Sequence, residues 1–266
     1  MSHLPVSVVI PTFRDGEALR RALNSVANQT QAPGEIFVVD DAGGEPGVGA
    51  ILTDFQALPL RLIELDKNIG PGGARNAGIK ASQQPFIAFL DADDEWHPRK
   101  LEYQMQIMLG LASPDFSAHS KAFRARAWPE QNLGQSRPFS RWPVLLSNPA
   151  SISTVIVRRD AIKFTFPDWY AGEDYAFVAA NLLAGLAAVK LDLTLARAHK
   201  APFGAGGLSG RMLAMQMGEM RTHWLLLSEG LIAIWEYTLL LPWTLLKYLR
   251  RSVIAKLQKY SLDVEN

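Results

Sequence analysis

The sequence predicts an α/β fold, a mostly parallel sheet flanked by helices, followed by an apolar helical extension at the C-terminus. Three observations predict it. Over residues 1–98, short β-branched runs alternate with segments of helical spacing. Several runs are apolar throughout, as in strands buried on both faces. From residue 211 onward the chain is helical in period and strongly apolar.

The elements follow in order. Residues 6–10 form a β-branched run ended by Pro11. Residues 16–28 follow as a helix, with Leu19, Ala22, Leu23 and Val26 on one face. Residues 35–39 make a second strand that runs into Asp40-Asp41. A helix over 48–55, a strand over 60–65 and a helix over 72–82 come next. Residues 86–90 form a fourth strand, ending in Asp91-Ala92-Asp93-Asp94. Beyond a helix at 99–112, residues 113–150 are rich in Pro, Ser, Arg and Trp and are expected to be irregular. Residues 151–158 and 193–196 are strand candidates, and 174–186 a helix. The glycine-rich stretch 201–210 has the composition of a flexible loop, with closure of 202–210 over a bound ligand and a plain connector as its two readings.

Composition narrows the function. The 266 residues suffice for one large domain with an appendage, and a 48% hydrophobic content supports a real core. A net charge of +1 excludes a strongly basic nucleic-acid binder, so no nucleic-acid partner is expected. With no cysteine, a metal must be held by oxygen or imidazole ligands. The N-terminus has no basic segment ahead of an apolar core, so a cytoplasmic location is expected.

Open parallel sheets bind ligands at the carboxyl ends of their strands. Here Thr12, Asp40-Asp41, and Asp91 with Asp93 stand at three such ends. Strand periodicity points Asp91 and Asp93 the same way. Two carboxylates that close repel unless a cation lies between them. Hard oxygen ligands suit Mg²⁺ or Mn²⁺. The competing reading of the acidic run is a cap for the helix near Pro98, with Asp94 the best capping candidate.

Four segments occur in one order: Val6-Ser7-Val8-Val9-Ile10-Pro11-Thr12-Phe13-Arg14, Val38-Val39-Asp40-Asp41, Asn68 to Gly78 with its Gly-Gly-Ala-Arg-Asn core, and Phe89-Leu90-Asp91-Ala92-Asp93-Asp94. Together they resemble family 2 inverting glycosyltransferases of the GT-A fold, over about residues 5–100, and Gly172-Glu173-Asp174 adds a later match. The resemblance implies a GT-A domain over 1–210. Residues 1–98 would bind the nucleotide-sugar donor, 99–210 would form the acceptor half, and 211–266 a separate helical segment. It implies that Pro11, Thr12 and Asp41 bind the nucleoside, with a turn or cap as the rival role of Asp40-Asp41. A carboxylate that can accept a uracil imide N–H makes a UDP-sugar the favoured donor. Arg75 lies near the donor, on the diphosphate or holding an acidic neighbour. Asp91 and Asp93 hold Mn²⁺ or Mg²⁺ on the diphosphate, with His199 a further candidate ligand. Asp174 is the implied catalytic base, with Glu173 second. The acceptor would be a glycan or a lipid-linked hydroxyl, in polysaccharide or lipopolysaccharide synthesis. The sequence reads Asp-Asp-Ala-Gly-Gly where the family often has Asp-Asn-Gly-Ser or Asp-Asp-Gly-Ser, so this loop is expected to differ.

Other readings are weaker. A dinucleotide fingerprint would need its glycines after the first strand, where Pro11-Thr12-Phe13-Arg14 stands. A nucleotidyltransferase would open with a basic, glycine-rich loop there, which Arg14-Asp15-Gly16 matches poorly. A non-catalytic sugar-nucleotide-binding protein on the same fold remains the alternative. Trp128, Trp142 and Trp169 are candidates to stack on sugars, with core packing as the rival role. Residues 225–246 are nearly apolar and are followed by Lys247, Arg250, Arg251, Lys256 and Lys259. Glu229, Glu236 and Pro242 argue against a span. Three readings stay open: a peripheral contact of 225–259 with the inner face of the cytoplasmic membrane, helices packed on the domain or a second subunit, or, against those residues, a spanning helix.

Overall fold

The computed structural model describes residues 3–43, 47–123, 127–128, 134–199 and 212–264, with side chains to residue 252 in the last segment. The β-branched runs and helical segments of the first ninety residues alternate as their periodicities require. They form β1 (Leu4–Thr12), α1 (Gly16–Ala27), β2 (Pro33–Asp40), α2 (Gly47–Thr53), β3 (Leu60–Glu64), α3 (Gly70–Ala81) and β4 (Phe86–Phe89). The chain continues through β5 (Asp94–Trp96), α4 (Lys100–Met108), β6 (Phe116–Phe123), β7 (Ser136–Pro138) and α5 (Arg141–Leu146). A 3-10 turn (Ile152–Thr154), β8 (Ile156–Arg158), α6 (Glu173–Leu183) and β9 (Ala188–Ala198) follow. The helices α7 (Met212–Ser228) and α8 (Ile234–Val264) close the described chain.

These strands form a single sheet in the order β3-β2-β1-β4-β8-β6-β9-β5, with β7 also on β9. The four strands from β3 to β4 are parallel throughout. Past β4 the pairing is mixed: β8 runs antiparallel to β4 and β6, while β6 and β9 are parallel. Alternate residues of one strand feed opposite cores. Val8 and Ile10 pack with Leu19 and Leu23 of α1, and Val9 packs with Ala74 of α3 and Phe177 of α6. This double burial is why β1 reads as an unbroken apolar run.

Three expectations are corrected. Residues 113–150 contain β6, β7 and α5. The long strand β6 is hidden in the sequence because its inward positions include the buried polar residues Ser117 and His119. Of residues 151–158 only 156–158 pair as a strand, since 152–154 make a 3-10 turn. Asp94 does not cap α4, whose first residue follows Arg99 with no side-chain cap; Asp94 opens β5 instead. The stretch 201–210 lies outside the described residues.

The seat of α3 on β1 is set by Gly78. A Cβ at Gly78 would stand 2.3 Å from Val9 Cγ1 and 2.9 Å from Val9 Cγ2, inside a packed core. Gly78→Ala is expected to destabilise the protein by about 1–3 kcal/mol through overpacking, despite alanine's better helix propensity. Urea unfolding measures it; an unchanged or raised midpoint would show that α3 can move off β1.

Candidate active site

The parallel strands deliver Thr12, Asp40 and Asp41, and Asp91 to one edge of the sheet. Pro11 sits opposite Val39 on β1. Thr12 is buried, and its hydroxyl has no hydrogen-bond partner among the described residues. The two acids after β2 do separate work. Asp40 Oδ1 accepts the Gly43 N–H at 2.9 Å, which shapes the turn. Asp41 accepts the backbone N–H of Ile69 at 2.7 Å and of Gly70 at 2.8 Å, so it caps the start of α3. Each Asp41 oxygen can still accept a second donor.

Arg75 joins the two halves of the site. It lies on α3 with its side chain 5% exposed, and its fork reaches two carboxylates. Nη2 donates to Asp91 Oδ1 at 2.6 Å and Nη1 to Glu173 Oε1 at 3.0 Å. Gly72 favours this. A Cβ there would meet Pro167 O at 3.0 Å and Glu173 Cγ at 3.1 Å, so a side chain would push the 166–173 segment back from α3 by a few tenths of an ångström. Asn76 on the same helix exchanges hydrogen bonds with the Phe166 backbone and fastens that segment. Burial would pull the Arg75 pKa down, but Asp91 and Glu173 more than reverse this and raise it. Burial likewise favours a neutral Asp91, yet Arg75 and Lys121 outweigh it and hold this acid below its usual range.

The turn Gly172-Glu173-Asp174 opens α6. Gly172 has φ +81°, in the left-handed region that suits glycine. Glu173 is buried against Arg75, and Asp174 is partly exposed. Asp174 Oδ2 accepts from Asn148 Nδ2 at 2.9 Å and Oδ1 from the Tyr175 N–H at 2.7 Å. Burial is the largest influence on Asp174 and raises its pKa above the ordinary carboxylate range. Arg75 opposes the rise and Asp91 adds to it. Burial, then the neighbouring Asp174, also raises Glu173.

Asp91, Asp93 and Asp94 offer carboxylate oxygens within 4.8 Å of one another, a hard donor set that fits a divalent cation. The three are not equivalent. Asp94 is 2% exposed, pairs with Lys121 Nζ at 2.7 Å and accepts from the Ser153 hydroxyl. Its carboxyl is pushed up to about 6 by burial, with Lys121 opposing. Asp91 and Asp93 are the more accessible pair. His199 stands elsewhere: its Nε2 contacts Glu95 Oε1 at 2.8 Å, and Glu95 also holds Arg197. The acid group does not include it.

Lys121, Asn148 and Ser153 escape sequence reasoning. Ser153 is buried, and its hydroxyl also accepts the Asp91 N–H at 3.2 Å, tying the acidic turn to the 3-10 turn. None of the three lies in a motif. The weak alternation around Phe116 and Ala118 was the one signal for the strand that carries Lys121. Of the tryptophans, Trp128 packs on His97 and beneath Arg197, and Trp142 meets Trp235. Trp169 is half-buried, with an indole N–H unpartnered among the described residues.

The model of "Glycosyl transferase family 2" matches residues 7–141, just over half of the chain. The chain belongs to glycosyl transferase family 2. Among curated relatives it is 38% identical over 103 residues to the succinoglycan biosynthesis protein ExoO of Rhizobium meliloti, covering 38% of this chain and 29% of that protein. It is 39% identical over 101 residues to the poly(ribitol-phosphate) beta-N-acetylglucosaminyltransferase TarP of Staphylococcus aureus, covering 36% and 31%. It is 35% identical over 109 residues to the UDP-Glc:alpha-D-GlcNAc-diphosphoundecaprenol beta-1,3-glucosyltransferase WfgD of Escherichia coli, covering 41% and 43%. These matches span less than half the length of each of the three relatives. The crystal structure of S. aureus TarS 1–349 in complex with UDP-GlcNAc superposes with a TM-score of 0.68 at 20% identity, over 84% of this chain and 67% of that one, which shows a shared fold. The family match takes in Asp41, Arg75 and the acidic run and stops before Glu173.

Arg75→Met would leave Asp91 and Glu173 buried without their cation. A loss of about 3–5 kcal/mol in unfolding free energy is expected, with Arg75→Lys intermediate because an ammonium cannot fork. Equal stability of Met and Lys variants in urea titrations would contradict the clamp.

Proposed function

We propose that this family 2 member is a metal-dependent inverting glycosyltransferase that moves a sugar from a nucleotide-diphosphate donor, a UDP-sugar by preference, to an acceptor hydroxyl. The observation that carries the reading is the Arg75 bridge. It holds the acid beside the proposed diphosphate site, Asp91, and the acidic turn of the proposed base one guanidinium apart. The relatives whose names include glycan-building reactions, and the fold shared with a UDP-GlcNAc complex, support the same reading.

Asp91 and Asp93 would hold Mn²⁺ or Mg²⁺, which when bound supplies positive charge to the leaving diphosphate. The remaining roles belong to side chains. Asp174 takes the proton from the acceptor hydroxyl as that oxygen bonds to the anomeric carbon and the bond to the diphosphate breaks. Asp174 is preferred to Glu173 because Glu173 is buried in an ion pair with Arg75, whereas Asp174 is partly open and oriented by Asn148. Pro11, Thr12 and Asp41 would line the nucleoside end. The unpartnered Thr12 hydroxyl and the spare acceptor capacity of Asp41 support that assignment. His199 stays a candidate only at the margin of the metal site, since its present partner is Glu95. The acceptor in this reading is a glycan or lipid-linked sugar of a surface polysaccharide, and a peripheral membrane contact through 225–259 belongs to it.

Asp174→Asn is expected to lower sugar transfer from UDP-GlcNAc or UDP-glucose by about 10²–10⁴-fold, with donor affinity by calorimetry little changed. Unchanged turnover would remove Asp174 from catalysis, and donor binding without transfer in the native protein would favour a binding protein. The base works ionised. Because burial raises its pKa, kcat/KM should fall as pH drops through a value above the usual carboxylate of about 4. Asn148→Ala removes a donor to the ionised form and should shift that acid limb further upward. A limb that stays put would mean that Asn148 does not touch the base in the working enzyme.

A further inference from the structure

The last two described helices are turned inside out. On α7, Gln216, Glu219, Thr222 and His223 face the protein and are buried. Leu213, Met217, Met220 and Trp224, at one-face helical spacing, are 44–63% exposed. The long α8 repeats the pattern. Glu236, Leu240 and Thr244 point inward, while Trp235, Leu239, Leu246 and Leu249 share the opposite face and are 52–58% exposed. The inward polar groups are used: Glu236 pairs with Arg141, Lys247 with Glu219, and His223 meets Tyr175. A helix that borders water has the reverse arrangement. Ring contacts of Trp224 with Tyr237 and of Trp142 with Trp235 join α7, α8 and α5 into one patch, larger than scattered exposed residues explain.

Charge selects the occupant. Beyond Lys247 and Arg251, which are turned inward onto Glu219, the sequence between residues 237 and 259 carries Arg250, Lys256 and Lys259 and no acid. A second copy meeting this patch about a two-fold axis would set cations against cations. An anionic headgroup layer complements them, while Trp and Leu enter the headgroup–acyl boundary. Among the described residues no helix is long and apolar enough to cross a membrane, so the helices would lie along it.

We propose that the outward faces of α7 and α8, with Trp142, dock this protein on an anionic lipid bilayer. The surface begins at Leu213, upstream of the apolar run visible in the sequence. Its consequence for catalysis rests on the transferase reading. The inward side of α7 touches the acidic turn, since a Cβ on Gly218 would fall 2.0 Å from Ala171 O, and Thr222 donates to Gly172 O at 3.4 Å. The Gly172 backbone would therefore stand about one helix diameter, ~10 Å, from the lipid face, and Asp174 follows it by two residues, on the side of the chain nearest an acceptor whose anchor stays in the bilayer.

The test is co-sedimentation of the full chain with phosphatidylglycerol–phosphatidylethanolamine vesicles and with phosphatidylcholine vesicles, in the absence of any donor. Partition into the anionic vesicles should be at least about tenfold greater and should weaken in high salt. The combined variant Met217→Ser, Trp224→Ser, Trp235→Ser and Leu246→Ser should lose about tenfold in binding while keeping a cooperative thermal melt. Arg250→Gln with Lys256→Gln should reduce the anionic preference while keeping a cooperative thermal melt. Absence of vesicle binding by the native protein, equal binding by the four-site variant, or a solution dimer dissolved by those substitutions would overturn the proposal. Because no donor is present, failure of the transferase reading would leave this result standing, and the reverse also holds.

Discussion

The site depends on one buried guanidinium. Arg75 is taken from water and surrounded by Asp91, Glu173 and the Phe166 ring, which its Cζ approaches at 5.3 Å from the centroid. An ion pair so buried contributes little net stability but penalises the loss of either partner heavily. It therefore works as a register device. The strand end that carries Asp91 and the turn that carries Glu173 lie far apart in sequence, and the fork fixes both to one helix. Gly72 and Asn76 serve the same contact by admitting and fastening the segment before the turn. Lysine could meet one carboxylate but has no planar fork to span two.

A second constraint acts from behind the turn. Gly172 is held in a left-handed conformation while Gly218 of α7 backs directly onto it, with no room for a side chain on either. The C-terminal helices are thus fitted to the acidic turn through their polar side, and among the described residues their apolar side is left exposed. The acidic turn, α7 and its outer face are stacked in direct contact. In the proposed membrane-docked state, orientation on the bilayer and position of the base would be set together.

The sequence revealed the part of the fold that obeys simple periodicity. The parallel strands β1, β2 and β4 are apolar throughout because both faces are covered, and their polar ends stood out against that background. The Asp91–Asp93 pair and Arg75 were legible as motifs, and the structure brings them together. What stayed hidden lacked a local signature. Strand β6 buries Ser117 and His119, so its alternation was masked, and with it Lys121, the cation that occupies Asp94. Asp94 looked like a helix cap because position alone cannot distinguish a cap from a buried ion pair. Ser153 and Asn148 reach the acids only through tertiary contact. The inverted helices read as apolar from composition, but which face is apolar requires knowing where the protein lies.

In the proposed reaction the acidic run serves a nucleotide diphosphate together with a cation. The most direct measurement is thermal stabilisation by UDP-, GDP-, dTDP- and CMP-sugars, each with Mn²⁺ and with a chelator, on the native chain and on Asp91→Asn with Asp93→Asn. A shift of several degrees is expected for the UDP-sugar in Mn²⁺, most of it lost with chelator and in the variant. Stabilisation of equal size with Mn²⁺ and with chelator, persisting in the variant, would contradict it.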